Sequence, residues 1–388
     1  MGLAGTRRIC GHSMTGRTAP WTLFDLPDTD RQLLEAVAAA IVPNPRHLLL
    51  KPLGRFGKTP AKMFAFRGVR KDRSETINYV AKWDSASSST REFKNTKVVN
   101  SSFNVLTKVE YHEVLNDRGL LVFTNAGDED LKSILDRSVL PATSRRRTLP
   151  STKKILQIVT TTLNHLPSPA ATRKDGRIKR LFSEYLRQEI GITHLKNYAR
   201  DSPSVPGAEK VKWPNLLGRV ENFLSGTIRV ANGAIHGDLH PSNIMVDYGN
   251  HSKIGLIDFA WATSSGTTAL DYAMMENSIH YMWAPFWLPD HFWRTMDQYM
   301  LPKLELEPTD KNACLEVFAD YPQGMAWAQA IWDMTLVLRA AAVKKGLTLQ
   351  ELLCARTAIL LGQAKFEDYS PPRVGAQLHR LLTAIDKT

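Results

Sequence analysis

Two carboxylates and one amide lie close together in the second half of the chain, each next to a short apolar run. Asp238 and Asn243 belong to residues 236–245, and Asp258 follows the apolar residues 254–257. A carboxylate can orient a hydroxyl and take its proton, while an amide and a second carboxylate can hold Mg²⁺ against nucleotide phosphates. This pattern predicts phosphoryl transfer, with Asp238 as the catalytic group and Asn243 and Asp258 as metal ligands.

Each of these residues also has a structural interpretation. An aspartate that follows a glycine commonly forms a turn, and an aspartate at a strand end commonly caps the next turn. His236 and His240 flank Asp238. We expect His240 to support the loop rather than to bind zinc, because no second histidine or cysteine follows at ligand spacing.

The stretch from His236 to Asn243 reads His-Gly-Asp-Leu-His-Pro-x-Asn, and Asp258-Phe259 follows it. It resembles the catalytic and metal-binding loops of the aminoglycoside phosphotransferase or choline kinase-like branch of the protein-kinase-like superfamily. The resemblance implies an α+β, bilobal fold with a β-rich N-lobe and a mainly helical C-lobe. It also implies ATP and Mg²⁺ as cofactors and a hydroxylated small molecule as acceptor. Ala260 stands where protein kinases carry glycine, and no Ala-Pro-Glu signature is present, which argues against a protein kinase.

The same resemblance assigns nucleotide-binding roles upstream. Lys82, at the end of a β-prone run, would contact the α- and β-phosphates of ATP, and Glu92 would pair with it. A lysine on a strand is otherwise most often exposed to solvent. Of the nearby glutamates, Glu75 and Glu110 fit the expected order less well.

Two further segments are assigned to the nucleotide by position. Gly54 and Gly57 lie between two strand-like runs, where glycines allow backbone amides to approach phosphates, although an ordinary hairpin turn fits equally well. Phe123 and Asn125 fall where the resemblance places the hinge that binds the adenine edge.

Composition changes along the chain and predicts its organisation. Residues 1–24 are polar and aperiodic and are expected to form a disordered leader. Residues 25–124 are predicted to form the N-lobe and residues 125–388 the C-lobe of a single bilobal domain. The segment 141–214 reads as an insert without a recognisable match.

The predicted elements are as follows. Strands are expected at 47–52, 62–68 and 76–83, a Ser-rich turn at 85–89, a helix at 90–99 and a hairpin at 108–115 and 120–124. Helices are expected at 131–135, 152–166, 178–185 and 216–230 and after Asp271. In the second half, only the catalytic loop and residues 254–257 are predicted to be β structure. Asp271 is expected to begin a helix and to brace the loops.

The chain has 388 residues, 43% of them hydrophobic, and a net charge of +12. No apolar run approaches the ~20 residues that cross a bilayer. Cys10, Cys314 and Cys354 lie far apart, which favours a reducing, cytoplasmic location over a disulfide framework. Basic clusters at 145–154 and 173–180 could attract nucleic acid, but no aromatic residues are interleaved with them for base stacking, so solvated faces are favoured.

The alternative to an enzyme is a catalytically silent, nucleotide-binding scaffold in a signalling or defence complex, which leaves room for a protein partner. The presence of all three residues, Asp238, Asn243 and Asp258, weighs against it, since a decayed site is expected to lose at least one. The aromatic segment 281–287, with Phe292 and Trp293, could line an acceptor pocket, although a core position is favoured.

Overall fold

A computed structural model describes most of the chain. The described residues are 32, 49–52, 62–69, 76–99, 102–103, 107–124, 127, 129–139, 152–169, 173–186, 189–206, 208–247, 253–281, 290–300, 308–319, 321–366 and 369–388. The predicted leader at 1–24, Gly54, Gly57, Glu75 and Asn125 lie outside these ranges.

The first five strands form one antiparallel sheet. They are β1 (Leu49–Pro52), β2 (Lys62–Val69), β3 (Thr76–Ser85), β4 (Lys108–Leu115) and β5 (Arg118–Thr124). Their order is β1-β2-β3-β5-β4, so β3 and β5 lie in the middle. Consecutive buried residues in these two strands are typical of a sheet that is covered on both faces. The three predicted strands and the hairpin are confirmed.

A helix, α1 (Ala86–Val99), follows β3 directly. The predicted start at Thr90, after a turn at 85–89, is wrong. The N–H of Ser88 donates to Ser85 Oγ at 3.2 Å, a bond of the kind that satisfies the free amides of a helix N-terminus. The serines that read as a turn in the sequence therefore cap the helix and form its first turn.

The second half contains more strands than predicted. They are β6 (Glu129–Asp130), β7 (Arg173–Arg177), β8 (Ser204–Val205), β9 (Ala208–Lys212), β10 (Thr227–Ile235), β11 (Ile244–Val246), β12 (Ile254–Leu256) and β13 (Thr263–Thr267). They form the small antiparallel sheets β13-β10-β7, β12-β11-β6 and β8-β9. The prediction of only two β elements there is wrong, because strands such as β7, with the sequence Arg-Lys-Asp-Gly-Arg, lack apolar alternation. Charged residues of this kind are typical of sheet edges.

Two predicted helices are too long. The helix expected at 216–230 ends at Ser225, because Gly226 is extended (φ −65°, ψ 166°) and leads into β10. The helix expected at 178–185 ends at Leu181 and is followed by turns.

Helices dominate the rest. They are α2 (Leu131–Val139), α3 (Thr152–His165), α4 (Ile178–Leu181), α5 (Ile190–Asp201), α6 (Trp213–Ser225), α7 (Ala269–Tyr281), α8 (Asp290–Met300), α9 (Pro308–Glu316), α10 (Pro322–Lys344), α11 (Leu349–Gln363) and α12 (Pro371–Ile385). Every residue of α7 is buried, so this helix forms the centre of the core. Within the described ranges, no helix is long and apolar enough to cross a membrane. A β-rich first part and a mainly helical remainder confirm the predicted α+β arrangement.

Candidate active site

The loop that carries Asp238 connects β10 to β11. After Ile235 the chain passes through residues 236–240 into a short 3₁₀ helix, Pro241–Asn243. Leu239 is fully buried and fixes the middle of the loop in the core. Asn243 Nδ2 donates to the carbonyl oxygen of Asp238 at 2.8 Å. The predicted catalytic residue and the predicted metal ligand therefore stabilise one loop conformation together.

Asp271, in the first turn of α7, braces the start of this loop, as predicted. Its carboxylate accepts the N–H groups of His236 and Gly237, both at 2.8 Å. Gly237 has φ +82°, and a Cβ there would lie 2.4 Å from the carbonyl oxygen of Trp261, so glycine is required. Burial raises the pKa of Asp271 to about 7, although the two amide donors act in the opposite direction.

His236 is a buried connector between the two loops. Its Nε2 lies 2.9 Å from the carbonyl oxygen of Ile257, and its Nδ1 lies 3.3 Å from the N–H of Asp238. A carbonyl can only accept and an amide can only donate, so the Nε2–H tautomer satisfies both bonds. Burial lowers the pKa of His236 to about 4, which keeps the ring neutral at neutral pH.

The carboxylate of Asp238 reaches solvent, with its side chain 29% exposed. Burial raises its pKa above the ordinary value, while His240 lowers it to a lesser extent. His240 Nε2 lies 3.7 Å from Asp238 Oδ2, too far for a direct hydrogen bond. The position of His240 agrees with the supporting role predicted for it.

Asp258 follows β12 and stands at the start of a second 3₁₀ helix, Phe259–Trp261. Its backbone is left-handed (φ 64°, ψ 61°), which only a minority of non-glycine residues adopt, aspartate and asparagine most readily. The N–H of Ile257 donates to the carbonyl oxygen of Asn243 at 3.1 Å, so the loop of the predicted catalytic residue and the loop of Asp258 are joined directly.

Lys82 lies between two carboxylates. Its Nζ is 2.8 Å from Glu92 Oε2 and 2.6 Å from Asp258 Oδ1. Glu92 also accepts the N–H of Phe259 through Oε1, at 3.0 Å. The structure thus brings the predicted lysine and glutamate to the predicted metal ligand.

Burial and charge act against each other in this cluster. Burial alone would lower the pKa of Lys82, but the carboxylates of Glu92 and Asp258 outweigh it and raise the pKa. Burial alone would raise the pKa of Asp258, but the Lys82 ammonium outweighs it and lowers the pKa. Burial raises the pKa of Glu92, which Lys82 offsets only in part. With one cation for two carboxylates, Asp258 carries the negative charge more readily than Glu92.

Sequence reasoning missed Asn95. Its Nδ2 donates to the carbonyl oxygens of Ala260 at 3.0 Å and Phe259 at 3.4 Å. Asn95 lies three residues after Glu92, so both side chains are on one face of α1. That spacing is a signal that places Asn95 on the side of α1 that carries Glu92, but it does not identify the carbonyl partners of Asn95.

The remaining predicted residues that the structure describes lie in the five-stranded sheet and in the hydrophobic core. Phe123 is fully buried within β5, opposite Val80 of β3 and Val109 of β4. Glu110 lies on β4 and approaches Thr124 Oγ1 at 3.4 Å. The described aromatic residues Tyr281, Phe292 and Trp293 are buried in the core.

The segment with this loop geometry also has a family match. Residues 140–298 match the model of the phosphotransferase enzyme family. The predicted resemblance is confirmed. The match includes the segment 141–214, in which the sequence alone showed no resemblance, and it excludes Lys82 and Glu92. No curated protein matches the chain.

Several solved structures are similar over most of the chain. An aminoglycoside-3'-phosphotransferase of type VIII is 14% identical, with 77% of this chain and 98% of that chain covered and a TM-score of 0.37. A mutant of aminoglycoside phosphotransferase APH(4)-Ia in complex with AMP-PNP and hygromycin B is 13% identical, with 91% and 99% covered and a TM-score of 0.43. An ethanolamine kinase of Plasmodium vivax is 12% identical, with 91% and 86% covered and a TM-score of 0.37. The fold of this chain is α+β, with a β-rich first part and a mainly helical remainder.

Proposed function

We propose that this protein transfers the γ-phosphate of ATP to a hydroxyl group of a small molecule. The observation that carries the proposal is the meeting of four predicted side chains from separate segments. Lys82 contacts Asp258 at 2.6 Å, and Asn243 closes the loop of Asp238 at 2.8 Å. The backbone bond from Ile257 to Asn243 holds these two pairs beside each other.

The oxygen atoms of Asn243 and Asp258 suit Mg²⁺. Asn243 uses its Nδ2 on the carbonyl oxygen of Asp238, so its amide oxygen is the atom left for a cation. Asp258 is 26% exposed and supplies an anionic oxygen. Mg²⁺ takes few protein oxygens and keeps water and phosphate as its other ligands. The described part of the chain contains no group of three or more His, Cys, Asp or Glu side chains suited to a metal ion.

Each of these residues has its own proposed role in phosphoryl transfer. Asp238 orients the acceptor hydroxyl and takes its proton, and its raised pKa makes it a stronger base than an ordinary aspartate. The acceptor oxygen bonds to the γ-phosphorus, the bond from that phosphorus to the β–γ bridging oxygen breaks, and ADP leaves with the electron pair. Lys82 holds the α- and β-phosphates. Bound Mg²⁺ neutralises charge on the phosphate oxygens.

The test is transfer of label from ATP labelled at the γ-phosphate to a pool of hydroxylated small molecules. The wild type is expected to label at least one of them, and Asp238→Asn to lower the rate about 10²- to 10⁴-fold, because the variant cannot take the proton. Asp117→Asn, in the exposed turn between β4 and β5, is the control and should leave the rate unchanged. An unchanged rate in Asp238→Asn would overturn the mechanism.

A further inference from the structure

Two aromatic side chains lie beside the catalytic loop. The rings of Tyr185 and Trp261 stack with centroids 6.4 Å apart and an interplanar angle of 24°. Trp261 lies directly against Gly237, the residue before Asp238, since a Cβ at Gly237 would lie 2.4 Å from the Trp261 carbonyl oxygen. The aromatic pair therefore adjoins the residue that is proposed to accept the proton.

The hydroxyl of Tyr185 is buried and has no hydrogen-bond partner among the described residues. A buried hydroxyl without a partner costs free energy and calls for an explanation, such as a ligand that completes the bond. Burial raises the pKa of Tyr185 well above its ordinary value, and the negative charges of Asp238 and Asp271 raise it further. Tyr185 is therefore a neutral donor close to these two carboxylates.

Two cations continue this surface on α1. The guanidinium carbon of Arg91 lies 5.8 Å from the centroid of the Trp261 ring. Arg91 and Lys94 line a cavity of about 490 Å³ whose other described lining residues are Ala86, Ser87, Thr90 and Asn95. None of these residues carries a carboxylate, and neither Arg91 nor Lys94 forms an ion pair with a described residue.

The cavity is next to the metal-binding loop rather than on a remote face. Asn95, which lines it, binds the carbonyl oxygens of Phe259 and Ala260. Lys97, on the same helix, serves as a contrast, because its Nζ lies 4.1 Å from the centroid of the Phe93 ring and it does not line the cavity. Arg91 and Lys94 thus place positive charge at this cavity. Arg91 also contacts Trp261, which stacks on Tyr185 and lies against Gly237, the residue before Asp238.

We propose that the acceptor carries an oxyanion, either a phosphate ester or a carboxylate, that Arg91 and Lys94 bind while its hydroxylated part lies on Trp261 and Tyr185. An arginine paired with a lysine and flanked by the hydroxyls of Ser87 and Thr90 suits an oxyanion. The same two cations repel a polycationic amino sugar. This proposal rests on the proposed function, because it names the acceptor class of the same site.

The first test measures anion binding directly by calorimetry. Mg·AMP-PNP is titrated first, and inorganic phosphate or acetate is then added with the nucleotide site filled. Phosphate is expected to bind the wild type and the control Lys97→Ala alike, and at least five-fold more weakly to the double variant Arg91→Ala/Lys94→Ala. Acetate, tested in the same way, distinguishes a carboxylate site from a phosphate site. Both changed side chains are exposed, and a melting temperature shared with the wild type would establish that the double variant is folded.

No phosphate or acetate binding by the wild type, or equal binding by the double variant, would overturn the acceptor class. Failure of Mg·AMP-PNP to bind would instead overturn the proposed function, regardless of whether the anions bind.

A transfer assay with matched acceptors gives the second test, using a neutral polyol, its phosphate ester, a hydroxy acid and an amino sugar. The wild type is expected to phosphorylate the phosphate ester or the hydroxy acid fastest. The KM for that acceptor should rise at least five-fold in the double variant Arg91→Ala/Lys94→Ala. Preference for the amino sugar would overturn the proposal.

Discussion

Lys82 forms ion pairs with two carboxylates, those of Glu92 and Asp258. Because Lys82 is buried, we expect its substitution to be destabilising. The side chain is 4% exposed, Glu92 is fully buried and both contacts are under 3 Å. Removing one member of a buried ion pair leaves its partner desolvated without compensation, which costs more than the pair itself contributes. Lys82 therefore supports both the fold of the site and its proposed contact with phosphate.

The variant Lys82→Met keeps much of the side-chain volume but removes the charge. We expect a loss of about 3 kcal/mol in the free energy of unfolding, measured with urea, together with weaker ATP binding. Lys132→Met is the matched control, because Lys132 pairs with Asp136 on the surface of α2 and its loss should cost at most ~0.5 kcal/mol. Equal stability of both variants would contradict the account of the buried cluster.

Among single residues, the sequence predicted the candidate site residues but not all of the contacts that support them. Asp238, Asn243 and Asp258 could be recognised because the residue types that this chemistry needs occur close together in the chain. Asn95 could not be assigned its two carbonyl partners, because they lie 164 and 165 residues away in the chain. Contacts at that separation depend on tertiary packing, which local spacing does not determine.

Among the elements, α1 positions the loop of Asp258, the predicted metal ligand, through one helical face. Glu92 accepts the amide of Phe259, and Asn95 donates to the two carbonyl oxygens that follow Asp258. These bonds hold the loop that gives Asp258 its left-handed backbone. A shift of α1 would therefore move both Glu92, which pairs with Lys82, and Asp258, the proposed metal ligand.

The substitution Asn95→Ala tests this role of the helix. Loss of the two donated bonds should loosen the loop of Asp258 and raise the Mg²⁺ concentration that gives half-maximal ATP binding. If the lost bonds weaken Mg²⁺ binding by ~1 kcal/mol, this concentration rises about five-fold. Asn95→Asp should be worse, because a carboxylate would face two carbonyl oxygens. Asn232→Ala, which removes an exposed bond to Ser265 Oγ, should leave the Mg²⁺ requirement unchanged. If Asn95→Ala behaves like Asn232→Ala, the helix does not position the loop.

Element prediction succeeded where apolar residues alternate or cluster and failed where they do not. The strands β2 and β3 contain long β-prone runs, and both were predicted. The strand β7 is made of charged residues and glycine, so only its pairing with β10 reveals it. The end of α6 was missed because apolar residues occur on both sides of the short polar segment 225–227, in α6 and in β10.

At the scale of the whole molecule, a buried ionic network joins three helices of the C-terminal part. Glu276 of α7 binds Arg339 of α10, with Oε1 at 2.6 Å from Nη2, and also binds Arg356 of α11. Burial alone would raise the pKa of Glu276, but the two guanidinium groups outweigh it and lower the pKa to about 2. The network lies in the helical core and not at the active site, so it should affect stability rather than chemistry.

The stabilisation from Glu276 is fully present above its ordinary pKa of 4.5 and is lost as the pH falls towards about 2, because in this range the unfolded state binds a proton that the folded state does not. The variant Glu276→Gln leaves two buried cations without a carboxylate and should lose about 3–5 kcal/mol at neutral pH. The free energy of unfolding of Glu276→Gln should also lack the decrease at acid pH that the titration of Glu276 causes in the wild type. Urea unfolding across the acid range measures both effects, with the exposed Glu316→Gln as control. A Glu276→Gln variant as stable as the control would contradict this role.

Asp258 is proposed to hold Mg²⁺ against a bound nucleotide, and this role can be measured by calorimetry of ATP binding to the wild type and to Asp258→Asn. Asparagine tolerates the left-handed backbone at this position, so the variant changes charge more than shape. The wild type is expected to bind ATP much more tightly with Mg²⁺ than without it, and the variant to lose most of that difference. Binding that is indifferent to Mg²⁺ in the wild type, or equally dependent on Mg²⁺ in Asp258→Asn, would contradict the account.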